Sequence, residues 1–274
     1  MRVSFSWLRE LVELKTPISE LAEKLSIAGF EVEGIEDLTQ QAKGVVVGHI
    51  RSIEKHPKAD KLNICIVDIG KTKDLQIVCG APNVRSGINV IVALEGCYLS
   101  AKSLKIKKTE LRGIKSEGMI CSLSEIGIED ISGGIAILDE MDLDVPDLGC
   151  EILDIFGLND EIIDIAITAN RPDGMSMIGI AREVSALTDK KLSLPKIIAD
   201  TEKIQDLNSF SFDSELKNRG SEMFAITYIE NVNGEQKSPA YIKNRLSSYG
   251  IKPKNYIVDI TNYVTIEQGQ PLHA

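Results

Sequence analysis

Long apolar runs are missing from this chain. No stretch of its 274 residues comes near the roughly 18 apolar residues that a membrane-spanning helix needs. The opening MRVSFSWLRELVELK has no extended apolar centre and carries Glu10 and Glu13 early, so it does not read as a signal peptide. Cysteine is sparse: five residues, at 65, 79, 97, 121 and 150, with no CxxC pair. An odd, widely spaced set argues against a zinc knuckle or a disulfide framework and for reduced thiols of a cytoplasmic protein. Several catalytic signatures are absent, among them GxGxxG, a Walker loop ending GK[ST], HExxH and GxSxG. Histidine occurs three times, at His49, His56 and His273. There is one tryptophan, Trp7, and between Lys43 and Cys150 the only aromatic is Tyr98. Stacking platforms for single-stranded bases normally use several aromatics, so a nucleic-acid site in that stretch is expected to recognise backbone and shape.

An overall positive charge is also lacking. The net charge is −10, which by itself argues against a nucleic-acid partner. The distribution reads differently. Residues 1–42 carry −4, 43–115 carry +8, 116–175 carry −14, and 176–274 are neutral. One basic block inside an acidic chain is the local footprint that a polyanion requires. A cluster of solvated lysines with no partner is the alternative.

At 274 residues the chain is expected to hold about two domains, with a third possible. Residues 1–35 read as helical. Ile18, Leu21, Ala22 and Leu25 share one face, Thr16-Pro17 supplies a start signal and Gly29 a stop. Trp7 falls with Leu8 and Leu11 on the apolar side of a shorter helix and reads as core. From Lys43 the period becomes that of strands: VVVGHIRSI, LNICIVDI, LQIVC, INVIVAL and later GIAIL. Five short strands separated by turn residues suggest a small closed barrel of the OB type, which binds oligonucleotides on one face. IIDIAIT (162–168) reads as a buried strand, TANRPDG as a turn, and Ser176–Thr188 as a helix. After a polar linker, SFSFDS and MFAITYIENV read as strands, SPAYIKNRLSSYG as a helix closed by Gly250, and NYIVDITNYVTIE as strand.

The fold expected is α+β and multidomain. Residues 1–40 and 150–190 are each too few to bury a core and are expected to form one small α+β domain together. An OB-fold barrel, 41–149, is inserted into it. Residues 191–208 form a linker, and 209–274 begin a mixed α/β domain.

Two sets of residues could bear chemistry. His49 alternates with valines and reads as a strand residue. His56, beside Pro57 in a loop with Lys58 and Lys61, is placed to meet a phosphate. The stretch KTELRGIKSEGMICSLSEIGI combines Lys107, Lys108, Arg112 and Lys115 with glycines and Ser116. Cations neutralise phosphates, and glycine lets backbone N–H groups approach them. Arg85 and Lys105 complete the candidate RNA contacts.

These stretches carry a resemblance. HPKADKL (56–62), IVCGAPNV (77–84) and LRGIKSEGMICS (111–122) resemble the tRNA-binding OB module that occurs attached to several aminoacyl-tRNA synthetases and in free-standing tRNA-binding proteins. The flanks, MRVSFSWLREL, DIAITANRPDGMSMIGIAREVSAL (164–187) and VDITNYVTIEQGQPLHA (258–274), look like the β subunit of bacterial phenylalanyl-tRNA synthetase. The likeness covers essentially the whole chain. Gly174 stands where that family often has cysteine, and Lys58 where it commonly has asparagine. The resemblance implies part of an α2β2 ligase that joins phenylalanine to tRNA(Phe) with ATP and Mg2+, the aminoacylation site lying on the α subunit. It also implies that 209–274 is the first part of a truncated B3/B4-type editing domain, which removes wrongly attached tyrosine. A hydrophobic pocket cannot strongly reject an analogue that only adds a hydroxyl, so a second site is needed. Positions matching Thr261, Asn262 and His273 are implied to lie around the edited substrate. On this reading the chain is an amino-terminal fragment, inactive alone, with no complete catalytic set and no cofactor of its own. The alternative is a free-standing tRNA-binding accessory protein without enzymatic activity.

Overall fold

The computed structural model of the chain describes residues 1–129, 131–141, 143–196 and 229–274. Strand β1 (Arg2–Ser4) runs straight into helix α1 (Phe5–Leu11). Ser4 makes the switch. Its Oγ accepts the Trp7 N–H at 3.1 Å, satisfying one of the donors that a helix start leaves open. Helix α2 (Ile18–Ile27) follows Pro17 with no side-chain cap, so the capping role expected of Thr16 is not taken up. It buries Ile18, Leu21, Ala22 and Leu25 and ends where Gly29 turns at φ +92°. Next comes strand β2 (Glu31–Asp37). Helix throughout 1–35 is therefore corrected at both ends. β1 is too short to show a period, and β2 is mostly exposed, so its alternation is blurred by Glu31, Glu33 and Glu36.

The long strand β3 (Val45–Lys55) opens the barrel, followed by β4 (Asn63–Asp68), β5 (Leu75–Cys79) and β6 (Asn89–Leu94). Two small hairpins come next: β7 (Tyr98–Leu99) with β8 (Leu104–Lys105), and β9 (Thr109–Leu111) with β10 (Ile114–Ser116). The second hairpin turns through Arg112 and Gly113 at φ +50° and +91°, the paired left-handed residues of a type I′ turn. Strand β11 (Gly118–Ile120) completes an antiparallel sheet in the order β11-β6-β3-β4-β5. The sheet curls until its edges nearly meet. The Glu117 N–H donates to the Gln76 carbonyl at 2.9 Å, and the Val78 N–H to Ser116 Oγ at 3.1 Å. The five-strand count holds, but one member differs. GIAIL makes a single bridge, Ile137 to Val90, and the fifth strand is β11, from the lysine- and glycine-rich stretch.

Strand β6 is buried on both faces. Val90 and Val92 point into the barrel with Ile50, Cys65, Val67 and Ile77. Ile91 and Ala93 join a second core with Val45, Val47, Leu99, Ile126 and Leu138. That second core also takes in Ile162 of strand β12 (Glu161–Ala166). β12 is the centre of another antiparallel sheet, β1-β12-β2, pairing Val3 with Ile163 and Glu36 with Ile162. Its Ile163 and Ile165 face a third core, with Phe5, Trp7, Leu8 and Leu11 of α1 and Leu21 and Leu25 of α2. The barrel thus rests on one face of the strand that organises the helices on the other.

Helix α3 (Met177–Thr188) is capped by Ser176, whose Oγ accepts the Gly179 N–H at 3.0 Å. The NRPDG turn before it is tightly built. Arg171 lies 4.1 Å over the Phe30 ring and pairs with Asp173 and Glu183, each at 2.8 Å. A Cβ on Gly174 would stand 2.6 Å from Phe30 Cε1, and one on Gly179 only 1.7 Å from the Asp173 carbonyl oxygen. The stretch expected to be linker begins in contact with this unit, since Leu192 pairs with Val12. SFSFDS and most of MFAITYIENV lie outside the described residues.

Helix α4 (Ala240–Tyr249) ends at Gly250, φ +95°, as the sequence suggests. NYIVDITNYVTIE is helix α5 (Tyr256–Gln268), which corrects the strand expectation. Asn255 caps it, accepting the Val258 N–H at 3.1 Å, and Gly269 ends it at φ +76°. Ile242, Leu246 and Ile266 of this helix pair sink into the third core. Above them, Tyr263 stacks on Trp7 at 5.1 Å and 20°. The Arg245 guanidinium lies 4.5 Å over Trp7 and donates to the Tyr263 hydroxyl at 2.7 Å and to Glu10. The end of the described chain is thereby fastened to its beginning.

Candidate nucleic-acid interface

The barrel's open edge carries a cleft of about 700 Å³. One side is the end of β5 and the turn after it, Val78–Pro82. Another side is the arm 102–111, and the floor is β11 with Met119 and Ile120. Lys102, Lys105 and Lys107 line the arm, all exposed at their ends. The far wall holds Ser122, Ser124, Glu125, Ser132, Gly133 and Gly134. That wall is fixed by Asn83. Its side-chain amide donates to the Ile135 carbonyl at 2.9 Å and accepts the Ile135 N–H at 3.0 Å. Asn83 therefore stands in for a strand partner. A Cβ on Gly134 would lie 2.2 Å from Asn83 Oδ1, which keeps that position a glycine.

Of the residues expected to contact RNA, Lys105 and Lys107 line the cleft. His56 does not face solvent. It is 4% exposed, with Nδ1 accepting the Lys58 N–H at 3.1 Å and Nε2 donating to the Leu111 carbonyl at 3.0 Å. Both ring nitrogens are engaged, so its place is to tie the 56–62 loop to the β9–β10 hairpin. Arg112 strengthens that tie, its Nη1 donating to the Lys58 carbonyl at 3.0 Å. The loop and hairpin motifs, separate in sequence, thus meet and leave Lys58 and Arg112 exposed beside one another, with Lys61 exposed in the same loop. Ser116 lines the cleft but is 3% exposed, bonded to the Val78 N–H and the Gly118 carbonyl, and serves the barrel seam. Arg85 pairs with Glu140 at 2.6 Å, and Lys108 with Glu95 at 3.0 Å, away from the cleft lining. The hydrogen bond to Glu95 raises the Lys108 pKa, and the lysine stays a cation. Residue type alone carries no signal for the places of Lys102, Asn83 and Glu125 at this cleft. The GAPNV motif held the signal for Asn83, but its partner Ile135 lies 52 positions away.

Nucleophilic thiols are not part of this surface. Burial pushes Cys65 up to about 12 and also raises Cys79, Cys97 and Cys121, the opposite of an activated cysteine.

The second candidate set sits on α5. Thr261 Oγ1 donates to the Val258 carbonyl at 2.8 Å, and Thr265 Oγ1 to the Thr261 carbonyl at 2.8 Å. After Gly269 the chain doubles back, and the Leu272 N–H donates to Thr265 Oγ1 at 3.3 Å. Asn262 is half-buried and His273 exposed. Asn262, in the run expected as strand, lies inside helix α5.

Comparison with known proteins adds to this geometry. A family model described as "Putative tRNA binding domain" matches residues 45–145, and one described as "B3/4 domain" matches 220–274. The phenylalanine–tRNA ligase beta subunit of Prochlorococcus marinus (strain MIT 9313) is 54% identical over 275 residues, covering 100% of this chain and 33% of that protein. The beta subunit of Synechococcus sp. (strain CC9902) is 52% identical over 274 residues with the same coverage. The chain spans about a third of the length of the curated relatives it matches. Among solved structures, the C-terminal domain of Plasmodium vivax p43 aligns with 42% of this chain and 61% of that one, at 23% identity and a TM-score of 0.29. On the whole-chain identity to those beta subunits, with both domain models matched, the chain belongs to the phenylalanine–tRNA ligase beta-subunit family.

Proposed function

We propose that this chain is the tRNA-binding part of a phenylalanine–tRNA ligase beta subunit and that the barrel cleft is where it meets tRNA(Phe). The observation that carries this is the lysine arm, Lys102, Lys105 and Lys107, lining a 700 Å³ cleft in a segment matched as a tRNA-binding domain. Lys58, Lys61 and Arg112 extend the same charge along the adjoining surface. The whole ligase joins phenylalanine to its tRNA with ATP and Mg2+, a chemistry supplied by an α subunit in an α2β2 assembly in the cytoplasm. Among the described residues no helix is long and apolar enough to cross a membrane.

The proposed domains are 1–40 with 150–190, the barrel at 41–149, a linker at 191–208, and the opening of an editing domain at 209–274. Shared pairing of β1, β12 and β2 supports the first. Thr261, Asn262 and His273 are proposed to border the editing pocket, its remaining wall lying on other parts of the ligase. The chain alone is then inactive in a tyrosyl-tRNA deacylation assay. A free-standing binding module is the weaker reading, because α4 and α5 are built into the core with α1 rather than appended to it.

Binding of tRNA to the purified chain, followed at several salt concentrations, tests the cleft. Replacing Lys105 and Lys107 with alanine is expected to reduce the slope of log K against log salt by about 0.7–0.9 for each phosphate no longer neutralised. An unchanged slope places the contact elsewhere.

A further inference from the structure

The cleft has two chemically opposed walls. Three lysines suit phosphate, yet Glu125 lines the other wall, where a phosphate backbone would be repelled. Glu125 is half committed. Its Oε2 accepts the Ser122 N–H at 2.6 Å and the Ser122 Oγ–H at 2.8 Å, while Oε1 has no hydrogen-bond partner among the described residues. Buried side-chain oxygens without partners are absent from the described residues, so Oε1 is open to solvent on a residue that lines the cleft. Beside it stand Ser124 and Ser132, and the β11 floor is apolar, with Met119 and Ile120.

A duplex presents phosphates and sugars on a broad convex surface. Its donors, the 2′-hydroxyls and the minor-groove base edges, are held on that surface and cannot swing into a recess to reach a carboxylate. A single unstacked nucleotide can. Its phosphate can stay on the lysine arm, its base can lie across the apolar floor, and an exocyclic amine can donate to the free oxygen. The volume falls within the range of about 300–1,000 Å³ that encloses small ligands. We infer that the cleft takes one splayed-out nucleotide whose base carries an amino donor, adenine, cytosine or guanine, and that Glu125 Oε1 selects it against uracil, whose single base donor, N3–H, lies between two carbonyls that repel a carboxylate. This rests on the RNA-binding reading above but replaces recognition by backbone and shape alone.

Glu125→Gln separates selection from structure. Glutamine has one acceptor oxygen. Held against the two Ser122 donors, that oxygen turns the NH2 group into the cleft, and a donor then faces a donor. The carbonyl edge of uracil meets no such conflict. Fluorescence anisotropy is measured on wild type, Glu125→Gln and Lys105→Ala/Lys107→Ala. The probes are nine-residue oligo(A), oligo(C) and oligo(U) and a blunt RNA duplex, with thermal unfolding to check that each variant is folded. Wild type is expected to bind oligo(A) and oligo(C) about tenfold tighter than oligo(U) or the duplex. Glu125→Gln is expected to erase that preference by weakening only the amine-bearing strands. The lysine variant is expected to weaken all strands and leave their ranking intact. A duplex bound as tightly as the single strands, or a preference that survives Glu125→Gln, overturns the inference while the RNA-binding reading stands. Absence of binding to every probe, and to tRNA at low salt, overturns both.

Discussion

Replacing Arg245 with alanine asks how firmly helices α4 and α5 are fastened to the amino-terminal core. The guanidinium lies 4.5 Å over Trp7 and its side chain is 19% exposed, a partly desolvated cation–π contact of about 1 kcal/mol. Its hydrogen bond to the Tyr263 hydroxyl at 2.7 Å contributes about another 1 kcal/mol. The pair with Glu10, itself 61% exposed, is screened by water and adds between 0 and about 1 kcal/mol. Removing the side chain strands nothing, because Tyr263 still donates to Glu267 at 3.0 Å. The expected loss is therefore about 2–3 kcal/mol, or a fall in Tm of about 3–5 °C for a chain of this size. Trp7 is the only tryptophan, so urea unfolding followed by its fluorescence reads the contact directly. Its emission should also shift to the red in the folded variant as water reaches the uncovered ring. Tyr263→Phe keeps the stack but removes the hydroxyl and its hydrogen bonds, so about 1 kcal/mol is expected. Lysine at position 245 should recover less than half of the loss, because an ammonium lacks the planar face and the fork of donors. A loss under about 0.5 kcal/mol in Arg245→Ala with unchanged Trp7 emission would refute the clamp.

Four other outcomes are expected. Burial pushes the Tyr263 phenol up to about 12 from 10.0, so its folded form holds its proton more tightly than the unfolded chain does. That contribution is complete below pH 10 and is lost as pH rises from about 10 to about 12. Comparing urea midpoints of wild type and Tyr263→Phe across that window would reveal it, and identical pH dependence would count against it. Gly179→Ala should cost about 3 kcal/mol, because its Cβ would fall 1.7 Å from the Asp173 carbonyl oxygen; thermal unfolding within 1 °C of wild type would contradict the packing. His56→Ala should cost about 1–3 kcal/mol by leaving the Leu111 carbonyl and the Lys58 N–H without a partner, read by urea unfolding. Ellman's reagent should titrate one thiol in the native protein, exposed Cys150, and all five in denaturant; rapid release of more than one from the native state would be inconsistent with the burial of the other four.

What the sequence disclosed depended on how local each signal was. Helices α2, α3 and α4 were legible because their apolar spacing and terminal Gly or Ser lie within one element. Helix α5 was not. Ile257, Val258, Ile260, Thr261, Val264 and Thr265 are β-branched and favour strands in isolation. The core reverses that preference by burying Ile266, and Thr261 and Thr265 turn their hydroxyls back onto helix carbonyls. Strand β11 was hidden for the opposite reason. Gly118-Met119 looks like a flexible ligand loop, yet a Cβ on Gly118 would stand 3.0 Å from the Ala93 carbonyl oxygen across the sheet. At the cleft, lysines could be counted from the sequence, but which of them face it could not. Lys105 and Lys107 line it, whereas Glu95 captures Lys108. A histidine among lysines resembles a phosphate ligand, but the partner of His56 is a carbonyl 55 positions on, which no local pattern discloses.

The central place of β12 dictates the order in which a ribosome can deliver this fold. β1 leaves the exit tunnel early, but its partner residues, Ile162 to Asp164, are made some 160 residues later. At about 5–20 residues per second, the interval is roughly 8–30 s. Throughout it, the apolar sides of α1 and α2, with Trp7, Leu8, Leu21 and Leu25, have no sheet to cover them. The barrel strands pair mostly with near neighbours and need only short loops closed, so the barrel can be complete before the chain's first helices find their place. The part translated first is the part that folds last, and the nascent chain carries its stickiest surface exposed for as long as the inserted barrel takes to be made.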